Sequence, residues 1–367
     1  MDSNCFCSGR IKQLMRYLNI EKVSPGMILA KEVYDDDGRI LLSVNTKLTK
    51  EYITRLSIRG YQGVYIEDEF SNGIDIEEVI SVELRNKATQ ALKDGNIDSL
   101  KTIAKDIVSQ LLDKDKSISL DIKDLRTYDN YTYKHSVNVA VISTIIGIYL
   151  SYDDESLYEL CLAALMHDIG KTKIDPAIIN KPARLTMAEY RLVQEHARYS
   201  YDILDENWLI SARTKQGVLH HHENEDGTGY PDRLVGDEIP PYAKIIHVAD
   251  VYDALTSKRP YKKPYALSEA IEYLMGGSNV LFDRKTVEAF LEVVPVYAKG
   301  IEVVMTNGER GIVVSNTSNP LRPIVRLLSS GKDIDLSNDQ DYISVTIAPH
   351  TVVENDFTSV YEKFDFE

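Results

Sequence analysis

The chain has 367 residues, 43% hydrophobic and 27% charged, with a formal net charge of −15. That length exceeds one ordinary core and predicts two or three domains. The negative field excludes sequence-independent binding to duplex nucleic acid, although a metal cluster can still dominate its own pocket for a small anion.

Three cysteines are present, Cys5, Cys7 and Cys161. Cys5 and Cys7 lack a second pair and read as a reduced N-terminal tail rather than half a zinc site, while Cys161 in the apolar run Leu160–Met166 reads as core. This usage suits a reducing cytoplasm. No signal-peptide segment opens the chain. The most apolar run, Val137–Leu150, is interrupted by Asn138 and Ser143 and is too short to span a bilayer. A cytoplasmic protein without membrane insertion is expected.

In chain order, residues 1–72 predict a small strand-rich α/β module. Ser24-Pro25-Gly26 is a turn, and Met27–Val33 and Arg39–Val44 read as strands around the hairpin signal Asp35-Asp36-Asp37-Gly38. Thr49–Arg59 then reads as a helix and Gly63–Ile66 as a closing strand. The three aspartates lack the remaining ligands of a calcium loop and read as a solvated turn. Residues 73–126 carry two apolar stripes at helical spacing, one through Leu84, Ala88 and Leu92, the other through Leu100, Ile103 and Ile107. Gly95 falls between them, so the segment reads as a helical connector or as the first helices of the next domain. Residues 127–294 predict an all-helical block holding seven of the eight histidines. Within it, Thr186-Met187-Ala188-Glu189 is a capping box that places His196 inside the following helix. Residues 295–355 change to β-branched clusters (Ile301–Met305, Gly311–Val314, Ile324–Leu328) divided by turn signals. They predict a β-rich C-terminal module, followed by a tail over 356–367.

The chemistry-bearing residues concentrate in the helical block. His135 opens an apolar-periodic helix, and alone would read as a core or capping residue. His167 and Asp168 end a helix, with Gly170 as its stop. A carboxylate has two oxygens, so Asp168 can bridge two cations, and two cations about 3.5–4 Å apart can share a hydroxide and clamp an in-line phosphoryl displacement. His220, His221 and His222 are consecutive. Successive helical residues point about 100° apart, so two suit one small ion and one is surplus. Asp250 projects from a buried apolar helix, where ligation removes the penalty of an unpaired carboxylate. His247 reads as packing, and His350 has no companions. Neutral imidazoles with carboxylates select divalent metals, so the set points to a metal-dependent phosphoester hydrolase.

These residues resemble the HD-GYP family, a subgroup of the HD phosphohydrolase superfamily. The likeness runs from about Tyr128 to Val294. It rests on Tyr131–Ser136, His167-Asp168-Ile169-Gly170-Lys171, His196, His221–Pro231, Val248–Ser257 and Arg259-Pro260-Tyr261. It implies an all-α HD-type bundle that hydrolyses the bacterial second messenger cyclic di-GMP. By that resemblance His135, His167, Asp168 and Asp250 ligate one metal, Asp168, His196, His221 and His222 ligate a second, and His220 is surplus. The family uses iron or manganese, and the donor set suits both. Lys171 then holds a phosphate oxygen or protonates the leaving oxygen, Tyr230 contacts substrate, and Arg259 and Lys262 face the second phosphate and guanine.

Tyr131 stands where some members carry a third-metal glutamate, which implies two metals and, by analogy, linear pGpG as the main product. The segments Lys22–Ile66 and Gly300–Ile347 resemble modules that flank such domains. A homodimer or a signalling protein partner is compatible with this architecture. The alternatives are hydrolysis of another cyclic dinucleotide or nucleotide, or a non-catalytic cyclic di-GMP-binding scaffold.

Overall fold

The computed structural model describes residues 14–348 except 36–38, 62, 75, 77–78, 114–130, 182, 258–264 and 266, together with the backbone but not the side chains of 131–132. The chain divides into two compact units, one made from Met1–Glu77 and Tyr297–Ala348, the other from Glu78–Val296.

The first unit is mostly β. Its N-terminal segment contributes β1 (Arg16–Asn19), β2 (Ile28–Leu29), β3 (Val33–Tyr34), β4 (Ile40–Leu42), helix α1 (Lys50–Ile58) and β5 (Gly63–Glu67). The expected strand Met27–Val33 is split, because its two halves take different partners. β2 pairs antiparallel with β5 and β3 pairs with β4. β1, which the sequence pattern did not announce, pairs antiparallel with β5. Thr49 caps α1 by accepting from the Tyr52 amide, and Leu56 of α1 joins Leu18, Leu29, Val64 and Ile66 in a buried core.

The C-terminal segment adds β6 (Glu302–Val304), β7 (Arg310–Ser315), β8 (Ile324–Leu327) and β9 (Asp333–Asp335) in one antiparallel sheet in that order. Only β9 lacks an apolar run in the sequence. Segments 1–72 and 295–355, expected as separate modules, share a buried cluster of Met15, Ala30, Tyr65 and Ile312, to which Ile74 and Ile76 of the expected connector also contribute. The Tyr17 amide donates to the Gly300 carbonyl at 3.0 Å, and the Arg326 guanidinium donates to the Phe70 carbonyl at 3.1 Å.

The second unit is helical. It contains α2 (Val82–Lys93), α3 (Ile97–Leu112), α4 (Tyr131–Tyr149), α5 (Asp154–Met166), α6 (Pro176–Ile179), α7 (Met187–Gln194), α8 (His196–Asp205), α9 (Ala212–Leu219), α10 (Pro241–Thr256), α11 (Leu267–Gly276) and α12 (Arg284–Val293). The turn at Gly95 separates α2 from α3, its φ of 63° being one that glycine adopts without penalty. α2 packs against α4, and α3 against α5. α4, α5 and α10 are apolar on nearly every side and form the buried centre of this unit.

Two local expectations change. His196 opens α8 instead of lying inside α7. The capping box of Thr186 and Glu189 starts α7 as expected, but the helix stops at Gln194, where the His196 ring nitrogen takes the Val193 carbonyl at 2.6 Å. Gly170 is not a left-handed helix stop. A Cβ at that position would lie 2.1 Å from the His196 carbonyl oxygen, so glycine lets the turn Ile169–Lys173 press onto α8.

Candidate metal centre

Three helix C-termini meet in the helical unit: those of α5, α7 and α9. The last carbonyls of a helix have no partner within it, and the helix dipole leaves partial negative charge there. Three histidines use those carbonyls in one way. His167 Nδ1 donates to Ala164 O at 2.7 Å, His196 Nδ1 to Val193 O at 2.6 Å and His221 Nδ1 to Val218 O at 2.6 Å. Each bond fixes the tautomer and leaves Nε2 as a bare lone pair.

Those lone pairs converge. His196 Nε2 lies 3.4 Å from His221 Nε2 and 3.2 Å from His222 Nε2. It is also 3.4 Å from Asp168 Oδ1. The opposite side is built from α4 and α10, where His135 Nε2 meets Asp250 Oδ1 at 2.8 Å. His167 lies between the two sides, its Nε2 3.5 Å from Asp168 Oδ2 and 3.9 Å from Asp250 Oδ1.

All seven expected ligands therefore stand in one buried cluster. Three overlapping sets within it each offer ligand atoms within 4.8 Å of one another: His135, His167 and Asp250; His167, Asp168 and His221; and His196, His221 and His222. His167 Nε2 and Asp168 Oδ1 are buried with no hydrogen-bond partner. Orphaned acceptors in such a place demand a donor or a cation. The mixed nitrogen and oxygen set fits a divalent metal ion, and the cluster could hold one.

Electrostatics separate the histidines. Burial holds His196 down at about 4, with the nearby Lys171 ammonium adding to the shift. Burial, and then the neighbouring imidazoles, hold His221 and His222 well below the ordinary range. For His135, burial pulls downward, but hydrogen bonds to Asp250 and Asp253 outweigh it and push the group up to about 9. Burial alone would raise the Asp168 carboxyl, yet the Lys171 ammonium beside it keeps it well below the usual carboxylate range.

Lys171 Nζ sits 2.5 Å from Asp168 Oδ2 at the edge of the cluster. The Tyr230 ring stacks on His222 with centroids 4.7 Å apart. His220 turns away: its nitrogens bond the Gln216 carbonyl and Asp232. His247 packs against Phe282 with centroids 4.9 Å apart. Arg259, Lys262, His350 and the Tyr131 side chain lie outside the described residues.

Sequence reasoning assigned no role to Asp253, and the structure gives it one. Its carboxylate takes His135 Nδ1 at 2.7 Å and the Asn138 amide at 2.9 Å. Asn138 in turn accepts from Arg85 at 2.9 Å. A second acid one turn after Asp250 on a buried helix was the available signal. Glu223 was also passed over. It is 1% exposed and accepts the backbone amides of Asp232, Arg233 and Leu234 at 2.7, 3.0 and 3.2 Å. It thereby fixes the loop that carries Tyr230.

With this geometry in place, comparisons place the unit among known proteins. Residues 114–286 match the model of the HD domain.

A cyclic di-GMP phosphodiesterase of Pseudomonas aeruginosa is 38% identical over 214 residues, 58% of this chain and 51% of that protein. A cyclic di-GMP phosphodiesterase of Vibrio cholerae is 30% identical over 304 residues, 78% of this chain and 57% of that protein. A 3'3'-cGAMP-specific phosphodiesterase of Vibrio cholerae is 41% identical over 153 residues, 42% of this chain and 33% of that protein. The chain thus spans little more than half the length of these relatives, or less. A solved HDGYP protein of Bdellovibrio bacteriovorus superimposes with a TM-score of 0.50 at 17% identity, over 75% of this chain and 98% of that one, which shows a shared fold. Among the described residues no helix is long and apolar enough to cross a membrane.

Proposed function

We propose that this chain is a cytoplasmic, metal-dependent phosphodiesterase that hydrolyses cyclic di-GMP, mainly to linear pGpG, at a centre of two divalent cations. The observation that carries the reading is the convergence of seven nitrogen and oxygen donors, two of them orphaned, in a domain whose relatives are named cyclic di-GMP phosphodiesterases. His135, His167, Asp168 and Asp250 would hold one cation. Asp168 would also help to hold the second, with His196, His221 and His222. Iron or manganese suits this set. Bound cations would supply Lewis acidity to a phosphoryl oxygen and lower the pKa of an attacking water.

The chain's own residues complete the chemistry. Lys171, paired with Asp168 at the edge of the cluster, would hold a non-bridging phosphate oxygen or give a proton to the leaving 3′ oxygen. Burial keeps the Tyr230 phenol protonated, so it is a hydrogen-bond donor to phosphate or sugar. Arg259 and Lys262 are assigned to the second phosphate and guanine by resemblance. The two-cation count and the pGpG product rest on Tyr131 standing where a third-metal glutamate would stand. A homodimer or a signalling protein is the expected macromolecular partner.

A second reading, hydrolysis of 3'3'-cGAMP, is favoured by the 41% identical relative named for it. Anaerobic purification with metal analysis, followed by chromatography of products from cyclic di-GMP, 3'3'-cGAMP and nucleotide monoesters, tests the proposal. About two equivalents of metal and pGpG from cyclic di-GMP are expected. A metal-replete protein that binds cyclic di-GMP and never turns it over would leave only a binding role.

A further inference from the structure

Beside Tyr230 lies a polar cavity of about 230 Å³ that the ligand cluster leaves unused. Gln194, Glu195 and Arg198, from the bend between α7 and α8, line one side, and Tyr230 and Arg233 line the other. The same bend delivers His196 to the cluster, and the Tyr230 ring stacks on the ligand His222. The cavity therefore shares a wall with the metal centre.

Arg233 is unusual in two ways. Its backbone is left-handed, with φ of 56°, a conformation uncommon for any residue with a side chain. The buried Glu223 carboxylate holds it there through the amides on either side. Its guanidinium has no hydrogen-bond or ion-pair partner among the described residues, whereas Arg198 on the same wall is paired with Asp232 at 2.9 Å. The loop thus presents a solvent-exposed planar fork with no protein partner among the described residues at the mouth of a polar cavity, on a backbone that glycine would occupy more easily.

The ligand follows from the lining. A simple anion would meet the Glu195 carboxylate as well as the arginine. A guanine base uses both, because O6 and N7 accept from a guanidinium and N1–H and the 2-amino group donate to a carboxylate or to an amide oxygen such as that of Gln194. Adenine lacks that complement, with an amino group in place of O6 and no 2-amino group. We propose that this cavity is a guanine subsite in which Arg233, with Glu195, grips one base of a cyclic dinucleotide whose phosphate lies at the metal cluster. This rests on the cyclic dinucleotide reading above.

The test is Arg233→Gly, which relieves the left-handed strain and so should leave Tm unchanged or raised. In the metal-loaded full chain, KM for cyclic di-GMP should rise about tenfold with kcat preserved, the size expected for one bidentate base contact, and KM for cyclic di-AMP should stay as it was. Calorimetry should show wild type preferring GMP over AMP, with the preference lost in Arg233→Gly. Arg233→Lys, which keeps the charge without the fork, should behave like the glycine variant. Equal binding of GMP and AMP by wild type, or full rescue by Arg233→Lys, would overturn the subsite. If neither dinucleotide is hydrolysed but the GMP preference still depends on Arg233, the subsite stands and the proposed activity fails.

Discussion

The two ends of the ligand cluster are built on different chemistry. At one end His135 has a carboxylate on each ring nitrogen, Asp250 at 2.8 Å and Asp253 at 2.7 Å. At the other, His196 and His221 turn Nδ1 to main-chain carbonyls and face each other across 3.4 Å. The two carboxylates at the acidic end favour a proton on His135, which a cation bound there would have to displace. The imidazole end offers lone pairs that are already bare. The contrast teaches that a shell of donors of one residue type can be tuned in opposite senses by what stands behind each ring.

The largest expected effect removes what the two ends share. Asp168→Ala should lose metal at both ends and at least about 100-fold in turnover, since cations supply several kcal/mol of charge stabilisation. Metal analysis and product chromatography read this together, and full turnover by the variant would remove Asp168 from the centre. Next comes Asp253→Asn, which spares every proposed ligand. Metal affinity should fall about 10- to 100-fold, but only for the cation at the acidic end. A chelator titration should therefore strip one equivalent early and the other at wild-type concentration. Equal weakening of both would erase the distinction drawn here.

Acidity should sharpen it. His135, raised from 6.5 to about 9, contributes stability that is complete below pH 6.5 and lost as pH rises toward 9. His196, lowered from 6.5 to about 4, contributes stability that is complete above pH 6.5 and lost as pH falls toward 4. The metal-free helical unit should thus be most stable near pH 6.5, with Tm falling on either side. Saturating cation should flatten the alkaline side, because ligation replaces the His135 proton, and steepen the acid side, where protons compete. An alkaline fall that persists unchanged with metal bound would refute this. The smallest effect belongs to His220→Gln. Losing its bond to Asp232 should lower stability by about 1 kcal/mol with metal content at the wild-type level, while His221→Gln should lose metal.

Much of the site was legible because its residue types are rare and conspicuous. Histidines at helix ends, and aspartates inside apolar runs, announce themselves without a fold. What stood behind them did not. The carboxylate of Asp253 acquires meaning only through His135, 118 positions earlier in the chain. Arg85 enters the same network through Asn138. The helices followed their apolar stripes and caps, but no periodicity could show that His196 would interrupt one by taking a main-chain carbonyl. Strand pairing in the β unit was hidden for a similar reason. β1 is recognisable only by its register against β5, Arg16 opposite Ile66. The link from Arg326 to Phe70 spans 256 residues.

That last link bears on how the protein is made. The helical unit is inserted between the two segments of the β unit, residues 77 and 297 bracketing it. At synthesis rates of 5–20 residues per second, roughly 10–40 s separate the emergence of those segments from the ribosome. Through that interval Met15, Tyr65 and Ile76 wait without Ile312, so the nascent chain should be most prone to aggregation and to chaperone capture through the N-terminal segment of the β unit, until the segment that follows the helical unit emerges.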